Sequence, residues 1–345
     1  MIKYSLGIDV ASKKFDVCLS VIHIDQSIKI IGSRGFPNND SGFSNLIEWL
    51  KKKHKNKDTP LVICMEATGI YYEKLALFLS DAAFDVSVIL PNKAKKYLQS
   101  LGLKSKNDKI DAKGLARMGA EQKLDFWLPF GKYFYFLRAL TRQLQSIQEL
   151  KTAANNQLHA SELAMFELSF VLKQQKKLIK EYDKMIAALT NEIEKHLHSD
   201  KEMMVRIEKI MKIKGVGLLT VAIVLAETNG FELFSSASQL TSYAGYDVVE
   251  NQSGNRTGRT RISKKGNSRI RRIMHLPAFN VVRYHVPVFE NLFNRVYERS
   301  NKKMIGYVAV QKKLLLIIYA LWKNGEEYDS KINQGACVPG VIEMA

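Results

Sequence analysis

Cysteine is scarce in this chain of 345 residues: Cys18, Cys64 and Cys337 stand far apart, with no paired spacing. That excludes a disulfide framework and a cysteine-held zinc site. Cys18 and Cys64 fall in strand patterns and read as small buried hydrophobes. The seven histidines are scattered, and His196 and His198 read as solvent-facing. Long apolar runs are also lacking. The longest, Leu314 to Leu321, is too short to span a bilayer and follows Lys312 and Lys313, so no membrane partner is expected. No signal peptide is visible, since Met1-Ile2-Lys3 leads directly into an apolar stretch. A reducing cytoplasm fits these absences. Acid is the other shortage. Against 52 Lys+Arg stand 34 Asp+Glu, a formal charge of +18. A surplus of that size points to nucleic acid as partner.

What is present is ordered. Leu6-Gly7-Ile8-Asp9-Val10 and Phe15 to Val21 are two apolar runs across a short polar turn, and their alternation predicts a hairpin. A third strand is expected over Ser27 to Phe36, then a turn at 37–42 and a helix over Phe43 to Lys53. Leu61 to Glu66 is a short strand ending on a carboxylate. Thr68-Gly69 opens a helix over Ile70 to Leu79, Val86 to Leu90 is a strand closed by Pro91, and helix resumes after Asn92. Three strands, helix, strand, helix, strand, helix give an α/β chain start with a mixed sheet. That is the order of the ribonuclease-H-like fold, which many nucleases share, so function has to be argued from the site.

From Lys132 to Lys214 there is neither Gly nor Pro, which predicts long helix. Ile179, Tyr182, Ile186, Leu189, Ile193 and His196 step by three and four, as do Leu137, Leu140, Leu144 and Ile147. This is coiled-coil spacing. Asn155 to His159 is the expected bend between two antiparallel arms, and so long a stripe suggests a dimerisation arm. The organisation expected is 1–130 as an α/β catalytic domain, 131–212 as a helical coiled-coil arm, 213–330 as a mostly helical domain, and 331–345 as a tail.

Four carboxylates stand out. Asp9 ends the first strand and Glu66 the fourth, and in a sheet of this order those ends can lie side by side. Asp108 and Asp111, three apart, share one face of a helix that follows. Helix capping accounts for Asp108 but not for Asp9 or Glu66. Four converging carboxylates repel unless divalent cations sit among them. Mg²⁺, or Mn²⁺ in its place, prefers such oxygen ligands, and two such ions can bracket a phosphate in a displacement. Lys104, Lys106, Lys109 and Lys113 surround the aspartates and would draw in a phosphodiester backbone.

Two further features bear on nucleic acid. Gly215-Val216-Gly217, between two helical patterns, resembles a helix-hairpin-helix, whose glycines let backbone amides approach a phosphate. Between Asn251 and Met274 stand eight basic residues and no acid: Arg256, Arg259, Arg261, Lys264, Lys265, Arg269, Arg271 and Arg272. Glycines suggest a flexible loop in its first half, and a helix starts near Ile270. A purely cationic loop repels itself without an anionic partner. Ser253 lies in this block with Ser263 and Ser268, and spacing alone does not make it a nucleophile, because no base accompanies it.

The ordered set Gly7-Ile8-Asp9-Val10-Ala11, Glu66-Ala67-Thr68-Gly69, Asp108-Lys109-Ile110-Asp111-Ala112, Gly215-Val216-Gly217, Tyr243-Ala244-Gly245, Gln252-Ser253-Gly254 and Ser263-Lys264-Lys265-Gly266-Asn267 resembles the insertion-sequence one-ten family of transposases. Pilin-gene invertases are relatives. The resemblance covers residues 4 to about 325. It implies a RuvC-like domain with an Asp-Glu-Asp-Asp site at Asp9, Glu66, Asp108 and Asp111, a coiled-coil arm, and a C-terminal transposase domain with a nucleophilic serine at Ser253. It further implies a bacterial mobile element, a structured bridge RNA pairing with donor and target DNA, and a phosphoserine link formed with help from Mg²⁺. Serine and carboxylates lie in different domains, which leaves their meeting to an assembled dimer or tetramer. The alternatives are a junction-resolving nuclease using water and two metals, a DNA invertase, and a non-catalytic nucleic-acid-binding protein on a retained fold.

Overall fold

Strand β1 (Lys3–Val10) pairs antiparallel with β2 (Lys14–Ile22), so that Gly7 faces Cys18 and Asp9 faces Asp16. β3 (Ile28–Pro37) continues the antiparallel meander. After α1 (Asp40–Lys53), β4 (Leu61–Glu66) joins β1 in parallel, and after α2 (Glu73–Asp81), β5 (Asp85–Ile89) joins β4 in parallel. The sheet order is β3-β2-β1-β4-β5. With β2 reversed, this is the ribonuclease-H-like order expected of the sequence. α3 (Pro91–Ser100) and α4 (Asp108–Glu121) complete this unit, Met1–Pro129. The computed structural model describes residues 1–102, 107–250, 252–253, 256–258 and 261–329. Lys104, Lys106, Arg259 and the expected tail at 331–345 lie outside them.

Two helix starts differ from expectation, each for a local reason. α1 begins at Asp40 rather than Phe43, because the Asn39 side chain accepts a hydrogen bond from the Gly42 amide. α2 begins at Glu73 rather than Ile70. Gly69 takes a left-handed conformation (φ +57°) that carries the chain past the end of β4 first.

Leu6, Ile8, Phe15, Leu19 and Ile63 share one core with Leu46 of α1 and Leu75 of α2, all fully buried. On the other face α4 lies almost directly on β1. A Cβ at Gly7 would stand 2.1 Å from the Ala116 amide nitrogen and 2.2 Å from the Ala112 carbonyl oxygen. Gly7 thus sets the approach of the helix that carries Asp108 and Asp111. Gly7→Ala is expected to cost about 3 kcal/mol, the upper end of overpacking, because backbone rather than a flexible side chain must give way. A thermal midpoint within 2 °C of the parent would show that α4 does not rest on this strand in the expected way.

Among its described residues the second unit, Phe130–Ala345, is mostly helical. α5 (Lys132–Glu162) and α6 (Ser169–His198) run antiparallel: Lys151 pairs with Asp183 at 2.5 Å and Lys176 with Glu162 at 2.9 Å. Their stripes meet in one core, where Leu137, Leu144, Ile193 and Leu197 are buried. The stripe's partner is therefore in the same chain. The bend is not at Asn155 to His159, which continue α5, but after Glu162. α7 (Lys201–Met211), α8 (Leu218–Thr228) and α9 (Ala237–Ala244) follow.

The stretch read as a flexible loop holds two nested antiparallel pairings. β6 (Val248–Val249) pairs with β9 (Arg261–Ile262), and β7 (Gln252–Ser253) pairs with β8 (Arg256–Thr257). α10 (Ser268–Ile273), α11 (His275–Arg283), α12 (Pro287–Ser300) and α13 (Lys303–Asn324) follow. α13 is long and apolar enough to cross a membrane by length and composition, although the apolar run within it is short. Half of its apolar window is buried among the other helices, with Leu314, Leu315 and Ile318 in their core.

Candidate active site and nucleic-acid surface

The carboxylates of the first unit come from three backbone positions. β1 and β4 are parallel neighbours, so Asp9 and Glu66 leave the sheet at the same end. Asn38 ties the segments that follow them together, its amide donating to the carbonyls of Ala11 (3.0 Å) and Tyr71 (3.1 Å). Asn107 caps α4 by accepting from the Ile110 amide, which leaves Asp108 and Asp111 in the first turn without the capping role. Burial, and then the charges of Asp111, Asp108, Glu66 and Asp16, push the Asp9 carboxyl up to about 6. Asp111, Asp108 and Glu66 therefore all act on Asp9.

Two members of this group were not foreseen. Asp16 is 6% exposed and stands opposite Asp9 across the hairpin. Lys14, on the same strand, donates to Asp16 at 3.0 Å and pairs with Asp108 at 2.9 Å. Its hydrogen bonds to Asp108 and Asp16 hold the ammonium in its charged form, and they hold Asp108 below the usual carboxylate range. The pairing signal was present in the sequence, since a hairpin turning over residues 11–14 sets 9 against 16. Among the described residues no three His, Cys, Asp or Glu side chains already form a closed ligand set. The donor chemistry nevertheless suits a hard divalent cation. Oxygen donors predominate, their mutual repulsion is visible at Asp9, and an ammonium already stands between Asp16 and Asp108.

This repulsion has a measurable consequence. The folded Asp9 carboxyl titrates above its ordinary value, so the folded state holds that proton more tightly than the unfolded chain. The cost of ionising it is absent below about pH 4 and complete above about pH 6. Asp9→Asn is therefore expected to melt higher than the parent at pH 7.5 in metal-free buffer, by about 1 kcal/mol after discounting for partial exposure, and level with it at pH 4. An equal difference at both pH values would show that charge at this site is not the cause.

Of the lysines beside the aspartates, Lys109 is exposed, while Lys113 lines a shallow cavity with Ser20, Gln26, Leu101 and Arg117. In the second unit Gly217 caps α8, and Gly215 (φ +101°) packs within 2.9 Å of Asn280 when given a Cβ. Ser253 stands opposite Arg256 in the β7–β8 pairing. Arg261, Lys264 and Lys265 are exposed. The arginines of α10 divide. Arg271 turns inward and donates to the Ala244 carbonyl at 2.8 Å, so it braces the segment instead of facing outward. Arg272 pairs with Glu149 of α5, and Arg269 stands near Glu227.

Strand order and strand-end acids place the first unit among ribonuclease-H-like domains. A transposase family model of the IS110 type matches residues 6–166, and one described as the IS116/IS110/IS902 transposase family matches residues 207–294. The chain belongs to this family of transposases, and by class it is a transposase or recombinase. Relatives agree along its length. A pilin gene-inverting protein of Moraxella lacunata is 29% identical over 97% of this chain and all of its own. The transposase for insertion sequence element IS1328 of Yersinia enterocolitica is 21% identical over 62% of this chain and 69% of its own. Among solved structures, Thermus thermophilus RuvC bound to a Holliday junction substrate covers 34% of this chain and 92% of its own, at 12% identity and a TM-score of 0.27.

Proposed function

We propose that the chain is the transposase of a bacterial insertion sequence, working on DNA in the cytoplasm, and that it cuts and rejoins strands through a serine–phosphate intermediate at Ser253. The observation that carries the reading is Asp9, which leaves the sheet at the same end as Glu66 and whose carboxyl is pushed up by burial and by the charges of Asp111, Asp108 and Glu66. In this scheme the Ser253 hydroxyl oxygen attacks a backbone phosphorus. The phosphorus–oxygen bond to one sugar breaks, and that sugar leaves as a free hydroxyl after taking up a proton. Attack by the hydroxyl of a second strand then reverses the step, so one phosphodiester is exchanged for another without net hydrolysis. Burial and the neighbouring acids push the Asp9 carboxyl up to about 6, which suits it to accept or return the proton. A divalent cation, Mg²⁺ or Mn²⁺, held by Asp9, Glu66, Asp108 and Asp111 would supply charge neutralisation at the phosphate.

Ser253 and the carboxylates lie in separate units, which fits a site completed on assembly of a dimer or tetramer. Self-association through the α5–α6 arm is supported by its tip, where Met165 and Phe166 are 90% and 82% exposed. A bridge RNA pairing with donor and target is the proposed guide, and the cationic block would hold either nucleic acid. The test is to trap the reaction on a nicked suicide duplex with the RNA encoded beside the gene. A protein–DNA adduct that survives denaturation is expected. Free 5′-phosphate ends without any adduct would instead indicate a hydrolytic, junction-resolving nuclease.

A further inference from the structure

Glu227 lies near the end of α8 with its side chain 1% exposed, and cations surround it. Arg142 of α5 donates to it twice, from Nε to Oε1 at 2.8 Å and from Nη2 to Oε2 at 2.9 Å. Asn267, which caps α10, donates from Nδ2 to Oε2 at 2.7 Å. Arg269 Nε stands 4.0 Å from Oε1 and is buried without a hydrogen-bond partner. Burial alone would raise this carboxyl, but the Arg142 hydrogen bonds and charge hold it below its usual value.

Two guanidiniums thus stand against one buried carboxylate. Neither is closed off, for the side chains of Arg142 and Arg269 are 39% and 40% exposed. Arg138 lies one helical turn before Arg142 on α5, its guanidinium 3.9 Å above the Phe130 ring. Its charge and that of Arg142 both reach the Tyr243 hydroxyl, which donates to the Glu227 carbonyl. The Arg272–Glu149 pair bounds this surface one to two turns further along α5. A buried carboxylate that orients one half-exposed arginine and holds a second within 4.0 Å is a costly device for stability alone, since similar volumes of apolar side chain do as well. Oriented guanidiniums, on the other hand, present paired donors that match a phosphate.

We propose that Arg138, Arg142 and Arg269 form a phosphate-binding surface for a nucleic-acid backbone, with Glu227 as the positioning residue for Arg142 and Arg269. The root of α5 then belongs to the nucleic-acid interface rather than to the arm alone. The proposal rests on the reading that the chain binds nucleic acid, and the parent protein tests that reading in the same titrations.

The experiment is fluorescence anisotropy with the full chain, across a salt series, on a short DNA duplex and on an RNA hairpin of equal phosphate number. Arg138→Gln and Arg269→Gln are each expected to lower the slope of log affinity against log salt by about 0.9 on the duplex, the share of one phosphate contact. Glu227→Gln separates positioning from charge. It adds one to the net charge, so a role in bulk electrostatics predicts equal or tighter binding, whereas the proposal predicts binding about fivefold weaker, partly restored in Glu227→Asp. Thermal melts run alongside, and if Glu227→Gln does not fold, the two arginine variants decide. Slope changes on DNA only, or on RNA only, support the surface and identify which backbone it holds. Variant slopes equal to the parent's on both ligands overturn the proposal. A parent whose affinity ignores salt overturns the nucleic-acid reading itself.

Discussion

Ser253→Ala is expected to abolish the covalent adduct and to lower strand exchange by at least about 10³-fold, because a reaction that proceeds through an enzyme–phosphate bond has no route without the attacking oxygen. The fold should be indifferent to the change. Ser253 takes part in the β7–β8 pairing through its backbone, and alanine keeps the same donor and acceptor. Affinity for DNA and its salt dependence should also stay at parent values, since the cationic side chains are untouched. Ser263→Ala and Ser268→Ala, in the same block, are the controls and should retain activity within about threefold. Full activity in Ser253→Ala, or an adduct that persists in it, would transfer the nucleophile to another hydroxyl or to water.

The second large effect belongs to the carboxylates. Asp111→Ala and Glu66→Ala are expected to lower strand exchange by about 10³-fold while leaving DNA affinity unchanged or slightly raised, because each removes negative charge near an incoming phosphate. Thermal stability of Asp111→Ala should not fall, for its loss removes the largest of the charges that push the Asp9 carboxyl up. A readout apart from turnover is available. Millimolar Mg²⁺ should raise the melting temperature of the parent and fail to raise that of Asp111→Ala. Activity within tenfold of the parent in both variants would leave the carboxylates as a structural relic of the fold.

Much of this architecture was legible in the residues. Period-2 runs with β-branched side chains mark β1, β2 and β4, and β4 ends on Glu66 as expected. Acids at strand ends are visible in sequence because burying them without a partner is costly. The bend of the arm was not legible. Asn155 to His159 are polar, but an antiparallel pair accommodates polar residues on its outer face, and nothing in composition marks the true end at Glu162. Nor could the sequence divide the arginines of α10. Arg271 and Arg272 are neighbours of one type, yet one braces the Ala244 carbonyl and the other meets Glu149, because successive residues point about 100° apart on a helix.

The sequence by itself determined the succession of strands and helices in the first unit, the carboxylates at the ends of β1 and β4, the cationic block around Ser253, and the family to which these belong. Those are properties of local pattern and of composition. The tertiary structure decided what each charge faces. It set Asp16 and Lys14 among the carboxylates through the hairpin register. It also joined Glu227 to Arg142 and Asn267, which lie 85 and 40 residues away along the chain. A charge in a sequence has a sign but no neighbours beyond its own element. Its pKa, its partner and its exposure depend on which segments the folded chain brings within a few ångströms of it.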